Sequence, residues 1–142
     1  MMHLEKTPGH LIRRLHQMSG HVFQQHMQKA GYDITPVQFA TMQALKSSPG
    51  IEQSQVASEI AYDPATIGGV ISRLEQKGWI TRHISDRDRR AREVSLSAVG
   101  AGVFKKIAPV VVALQKDILE KLSEKERLKL TSLLQKALGS SA

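Results

Sequence analysis

Residues 63–96 read DPATIGGVISRLEQKGWITRHISDRDRRAREVSL, and this stretch decides the fold. Asp63-Pro64 is a helix start. The aspartate can cap free N–H groups, and a proline at the first helical position gives up only a donor that has no partner there anyway. Gly78 is the matching stop. Between them Ile67, Val70, Ile71 and Leu74 recur at three- and four-residue spacing, which buries one stripe. Ala65, Thr66, Gly68, Gly69, Ser72 and Arg73 occupy the opposite face, which is small, polar and almost free of acid. Such a face suits close approach to a rigid polyanion. Small residues let the backbone come near, and hydroxyls and an arginine reach phosphates and base edges.

Two short strands follow, over residues 79–85 and 91–97. Ile80, Arg82 and Ile84 alternate with Thr81 and His83; Val94 and Leu96 alternate with Glu93 and Ser95. The connection SDRDRR makes a basic tip, with five arginines against two aspartates over residues 82–92. A small-faced helix beside an arginine-tipped hairpin is the sequence form of a winged helix-turn-helix.

The segment resembles the MarR family of bacterial transcriptional regulators. The resemblance is carried by Asp88-Arg89-Arg90 followed by Val94-Ser95-Leu96-Ser97 and Gly100, with Leu74-Glu75-Gln76-Lys77-Gly78-Trp79-Ile80 upstream. It implies a mainly α fold with a small β-hairpin wing, dimerised about a two-fold axis through the terminal helices. It covers almost the whole chain.

At 142 residues the chain suits one domain with a real core. Hydrophobic residues make up 41% and charged residues 23%, as in an ordinary folded protein. A net charge of +7 favours a polyanionic partner without separating nucleic acid from an anionic membrane. No apolar run approaches the roughly 18 residues of a membrane span, and the first residues lack the apolar block of a signal peptide. With no cysteine there is no disulfide, thiol sensor or Cys-ligated zinc. The expected setting is the cytoplasm.

Residues 1–7 are expected to be loose. Leu11, Leu15, Met18, Val22 and Phe23 then mark a helix over residues 8–30, closed by Gly31. Thr35-Pro36 starts a second helix, with Phe39, Met42 and Leu45 buried, ending near Ser47-Ser48-Pro49-Gly50. A short third helix over residues 52–60 turns Val56, Ala57 and Ile60 inward, so residues 52–78 form helix, turn, helix. After the hairpin, Ser97 caps a long helix with a broad apolar face, in which Pro109 predicts a kink or break. Ser123 and Glu126 form a capping box ahead of a last helix carrying Leu128, Leu130, Leu133, Leu134 and Leu138. The first and last two helices are apolar over more than one stripe, more than a monomer of this size can cover. The predicted division is therefore residues 8–31 and 98–140 as dimerisation helices and 35–97 as the winged helix-turn-helix, within a single compact fold.

The residues expected at double-stranded DNA are Ala65, Thr66, Gly69, Ser72 and Arg73 from the helix and Arg87, Asp88, Arg89 and Arg90 from the wing. By resemblance Arg90 enters the minor groove, Asp88 orients it, and Arg87 and Arg89 serve phosphates. Other readings stay open: Gly68-Gly69 for tight packing inside the domain, and the wing arginines as a solvated loop. The opening PGHLIRRLHQ resembles the first helix of family members that respond to aromatic carboxylates, which makes Arg13, Arg14 and His16 effector-binding candidates. An arginine fork matches a carboxylate, and a histidine can bond a ring hydroxyl. Plain surface residues are the alternative, and the sequence does not say which arginine faces inward. Met18, Phe39, Met42 and Phe104 are candidate apolar walls, though the core suits each better. His16, His21 and His26 stand five apart, where ligands sharing a helix face stand three or four apart, so no metal is expected.

No nucleophile–base pair, Gly-rich phosphate loop or paired carboxylates in an apolar segment points to an enzyme, and no cofactor is implied. The expectation is a sequence-specific regulator, in the family most often a repressor, released from a pseudo-palindromic operator by a small aromatic acid. A sequence-blind architectural DNA protein and a regulator responding to metal or another signal are the alternatives.

Overall fold

The computed structural model describes residues 1–140. Six α-helices and a small sheet follow in the order α1 (Pro8–Ala30), α2 (Pro36–Ser47), β1 (Ile51–Glu52), α3 (Gln53–Glu59), α4 (Pro64–Gln76), β2 (Ile80–Ile84), β3 (Arg92–Leu96), α5 (Ala98–Ile118) and α6 (Glu124–Ala137). The predicted starts of α2, α4, α5 and α6 hold because each rests on a side-chain cap. Thr35 and Gln38 form a reciprocal capping box on α2. Asp63 Oδ1 accepts from the Ala65 N–H at 3.1 Å. Ser97 Oγ accepts from the Gly100 N–H at 2.9 Å, and Ser123 with Glu126 closes the start of α6. α1 ends at Gly31 in the left-handed region, φ +85°.

The sheet is antiparallel in the order β1-β3-β2, with Ile80 opposite Leu96, Arg82 opposite Val94 and Ile84 opposite Arg92. β1 was not expected, since two residues carry no periodicity; it pairs Ile51 with Val94 and Glu52 with Glu93 and ties the start of α3 to the wing. The N-terminal residues are not loose throughout. Leu4–Lys6 make one 3-10 turn, closed by Thr7 Oγ1 donating to the His3 carbonyl at 3.0 Å.

One continuous core runs from the terminal helices into the winged lobe. Met27, Met42, Leu45, Ile71, Leu74 and Leu114 are almost wholly inaccessible within it. All three phenylalanines meet where α1, α2 and α5 join. Phe39 stacks on Phe104 at 5.5 Å between centroids, and Phe23 meets Phe39 at 6.4 Å. Met42 and Phe104 are thus core, and Phe39 is half-buried against it. Met18 is exposed on α1.

α5 settles one expectation in part and corrects another. It passes through Pro109 without a break. The carbonyl deprived of its donor belongs to Lys105, an exposed residue, where water can serve instead. At 21 residues and with an 18-residue window of mean hydropathy 1.4, α5 also has the length and hydropathy of a membrane span, which the sequence reading denied. Its valines, alanines and isoleucines outweigh Lys105 and Lys106. Phe104, Ile107, Val111 and Leu114 use that character to pack into the core. α6 differs again: no residue in it is buried, and Leu128, Leu133, Leu134 and Leu138 stand exposed.

Candidate nucleic-acid interface

α4 sits on the core through Ile67, Val70, Ile71 and Leu74 and turns Ala65, Thr66, Gly69 and Arg73 outward. These four lie on one exposed face. The two adjacent glycines part company. A Cβ on Gly69 would meet nothing within 4 Å, whereas one on Gly68 would lie 3.2 Å from Gln53 Nε2. A side chain at Gly68 would therefore press on the end of Gln53, whereas Gly69 has no such internal neighbour. The Thr66 hydroxyl donates to the Asp63 carbonyl at 3.2 Å, so it offers its lone pairs and methyl outward.

Ser72 is placed differently. It is half-buried, and its Oγ accepts from Arg82 Nη2 at 3.1 Å. Arg82 also donates to Glu75 Oε1 at 3.1 Å and to Gln53 Oε1 at 3.0 Å. Reading residues for DNA contact missed Arg82, Gln53 and Glu75. The signal was Arg82's parity: it shares the inward side of β2 with Ile80, where a charge must find partners.

The wing tip stiffens itself. Buried Ser85 accepts from the Arg87 N–H at 3.1 Å and the Asp88 N–H at 3.4 Å. Asp88 Oδ1 accepts from the Arg90 N–H at 2.9 Å and faces Arg90 Nε at 3.7 Å. Arg92 Nη1 donates to the Arg89 carbonyl at 3.2 Å. Arg87, Arg89 and Arg90 remain exposed, the Arg90 side chain 95% so. Ile84, on the inward parity of β2, is also exposed, because the hairpin has left the body of the lobe by that point. Residues 35–97 hold eight Lys and Arg against seven Asp and Glu, so the lobe is nearly neutral and its positive field is local to the arginine tip.

The effector candidates on α1 do not converge. Arg14 borders a shallow apolar surface made by Leu11, Leu15, Met18 and His21. His16, two residues on and about 160° round the helix, borders a second groove of about 690 Å³ between α1, α5 and α6, with Ile12, Val112, Leu128 and Leu134, which meets the first only at Leu15. Arg13 reaches toward His10 Nδ1 at 3.4 Å and borders neither. His26 pairs with Asp117 at 3.0 Å across α1 and α5. Among the described residues no three His, Asp or Glu side chains are grouped to hold a metal ion.

The MarR family's sequence pattern matches residues 34–91, the whole helix-turn-helix with the first strand and the tip of the wing. The HTH-type transcriptional repressor NicR of Pseudomonas putida is 30% identical over 144 aligned positions, covering 96% of this chain and 90% of that protein. The structure of Bordetella bronchiseptica BpsR, whose DNA binding is regulated by 6-hydroxynicotinic acid, superposes with a TM-score of 0.89 at 27% identity, covering 99% of each chain. PcaV of Streptomyces coelicolor, solved with its natural ligand, gives 0.88 at 25% identity, covering 100% of this chain and 99% of that one. With the small-faced helix, the arginine-tipped hairpin and full-length likeness in agreement, the chain belongs to the MarR family of winged helix-turn-helix transcriptional regulators.

Proposed function

We propose that two copies of this chain form a sequence-specific, ligand-responsive repressor in the cytoplasm, a binder and not an enzyme. Residues 8–31 and 98–140 join the copies, and residues 35–97 of each read one half of a pseudo-palindromic operator in double-stranded DNA. The observation that carries this reading is the exposed face of Ala65, Thr66, Gly69 and Arg73 beside the self-braced Arg87, Arg89 and Arg90 tip. α4 enters the major groove, with Ser72 at its edge. Arg90, oriented by Asp88, enters the minor groove, whose negative potential attracts arginine.

A second copy is supported by α6. A 14-residue helix with no fully buried residue cannot hold itself by propensity, and Leu128, Leu133 and Leu134 stand exposed on it, two of them lining the apolar groove. The same chain laid on that face supplies the missing contact with two-fold closure. Two recognition helices then stand about one DNA turn apart.

The effector is an aromatic carboxylate. Support comes from BpsR, answering to 6-hydroxynicotinic acid, and from Arg14, a cation at the edge of an apolar surface on α1. Arg14 is the better carboxylate partner than Arg13; His16 serves the groove toward the second copy. A ligand favouring a mis-spaced dimer shifts the population and releases DNA. A gel shift on DNA flanking the chain's own gene, with and without 6-hydroxynicotinate and simple benzoates, tests the reading. Retarded, footprinted, pseudo-palindromic DNA released by one of these acids is expected. Uniform protection of any duplex refutes the sequence-specific part, and release by none of the acids refutes the effector.

A further inference from the structure

Arg82 lies on the hairpin, outside the exposed face of α4, with its side chain only 24% exposed. Its planar fork joins three elements. Nη1 donates to Gln53 Oε1 at the start of α3, and Nη2 donates to Ser72 Oγ and Glu75 Oε1, one turn apart on α4. The guanidinium therefore bonds at once to both helices of the helix-turn-helix and, through its own backbone opposite Val94, to the wing.

We infer that Arg82 is a positioning residue for DNA recognition. It sets the rotation of α4 about its own axis and the angle between α4 and the wing. The inference rests on the DNA-binding reading above and names a residue that acts without touching DNA. The apolar side of α4 fixes how deeply the helix seats. Apolar contact is non-directional, and it tolerates small rotations at little cost. Hydrogen bonds of a planar fork are directional, and only arginine offers several in fixed geometry. Recognition tolerates only about 10–20° of misorientation in the groups that make it. One carboxylate partner neutralises the part-buried cation, and two neutral acceptors take its remaining donors, as a low-exposure arginine requires. Ser72 is the link outward. With Arg82 held on one lone pair, its hydroxyl stays at the edge of the presented face in a fixed place.

The test compares Arg82→Met and Arg82→Lys with the parent dimer, by fluorescence anisotropy on the operator and on a scrambled duplex over a salt series. Circular dichroism checks folding at the assay temperature. Arg82→Met keeps most of the stem and removes the fork; Arg82→Lys keeps the charge. Both are expected to raise the operator Kd at least ten-fold, to change the scrambled-duplex Kd less than two-fold, and to leave the salt slope unchanged. Arg82→Met with Ser72→Ala is expected to lose no more than the worse single variant, because Ser72 takes part in this bracing only through its bond to Arg82, which Arg82→Met already removes. Operator binding like the parent's in either Arg82 variant overturns the inference. So does an equal loss on both duplexes with a shallower salt slope, the mark of a phosphate contact. A double variant whose loss is the product of the singles overturns it too. A parent protein that shows no preference for any operator refutes the DNA-binding reading itself, and this inference falls with it.

Discussion

Replacing Arg90 by alanine is the sharpest probe of the interface, because the structure separates its effect on binding from its effect on stability. The side chain is 95% exposed, and its carboxylate partner is Asp88 at 3.7 Å. An exposed pair of that kind contributes about 0–1 kcal/mol, so the unfolding midpoint should hardly move. The Asp88 Oδ1 bond to the backbone N–H of residue 90 survives the substitution, so the tip keeps its shape. What is lost, on the minor-groove assignment proposed above, is the inserted cation. A specific arginine contact contributes roughly 1–3 kcal/mol at each half-site. A dimer loses two such contacts far enough apart to add, so about 2–6 kcal/mol, or roughly a 30-fold to 20,000-fold weaker operator Kd. Fluorescence anisotropy with a labelled operator at fixed salt measures this, with a scrambled duplex alongside. Arg89→Ala is the internal control. As a phosphate contact it should weaken both duplexes alike and lower the salt slope by about 2 per dimer. A folded Arg90→Ala protein with parental operator affinity would refute the minor-groove assignment. A loss identical in pattern to that of Arg89→Ala would reduce Arg90 to a phosphate contact.

Gly69→Ala should act with opposite signs on folding and on binding. It adds a Cβ into open space and stabilises α4 by about 1 kcal/mol, raising the melting temperature roughly 4 °C, while operator affinity falls. A higher melting temperature with unchanged affinity removes Gly69 from the interface. Gly100→Ala should cost about 3 kcal/mol or more in urea unfolding followed by Trp79 fluorescence, since the added Cβ would lie 1.9 Å from the Trp79 carbonyl oxygen, backbone that cannot step aside. A loss under 1 kcal/mol (estimated against the usual overpacking scale) contradicts that packing. Glu126 titrates below the ordinary 4.5 because it accepts from the Ser123 backbone N–H and then from its hydroxyl. A depressed carboxylate contributes stability that is complete above its unfolded value and fades as pH falls through its folded one. Parent and Glu126→Gln should therefore differ above pH 4.5 and converge in more acid solution, as read by melting temperature; a constant gap rules the titration out.

The helices were legible because caps and apolar spacing agreed. Asp63, Thr35, Ser97 and Ser123 each stop the chain from starting its helix one residue early or late, and each does so by a bond the structure shows. The wing was legible from parity and from the arginine tip. β1 was not, because a two-residue strand exists only through its partner β3. The continuity of α5 across Pro109 was also out of reach, since a proline's cost depends on whether the carbonyl it strands can reach water, and that is set by tertiary exposure. The span-like hydropathy of α5 was misjudged by looking for an unbroken apolar run. A window average lets Lys105 and Lys106 be outvoted by their neighbours.

At the site, sequence reasoning found what points outward and missed what holds it. Thr66, Gly69 and Arg73 follow from choosing the face opposite Ile67, Ile71 and Leu74, which needs only the helical repeat. Arg82 needed one step more. It was grouped correctly with Ile80 and Ile84, yet a cation on an inward parity next to a buried isoleucine is a debt of hydrogen bonds, and the debtors had to lie on the elements facing β2. Glu75 is one residue beyond the buried Leu74 and so borders that same face, and Ser72 precedes it by one turn. α1 marks the opposite limit. Arg13, Arg14 and His16 are close in sequence, but 100° per residue sends them to three directions. Only Arg14 stays beside the exposed Leu11 and Met18. Adjacent positions on a helix must point to different sectors, so the sequence already parted the two arginines; which sector meets the apolar surface depends on how α1 packs, and that is set by tertiary contacts.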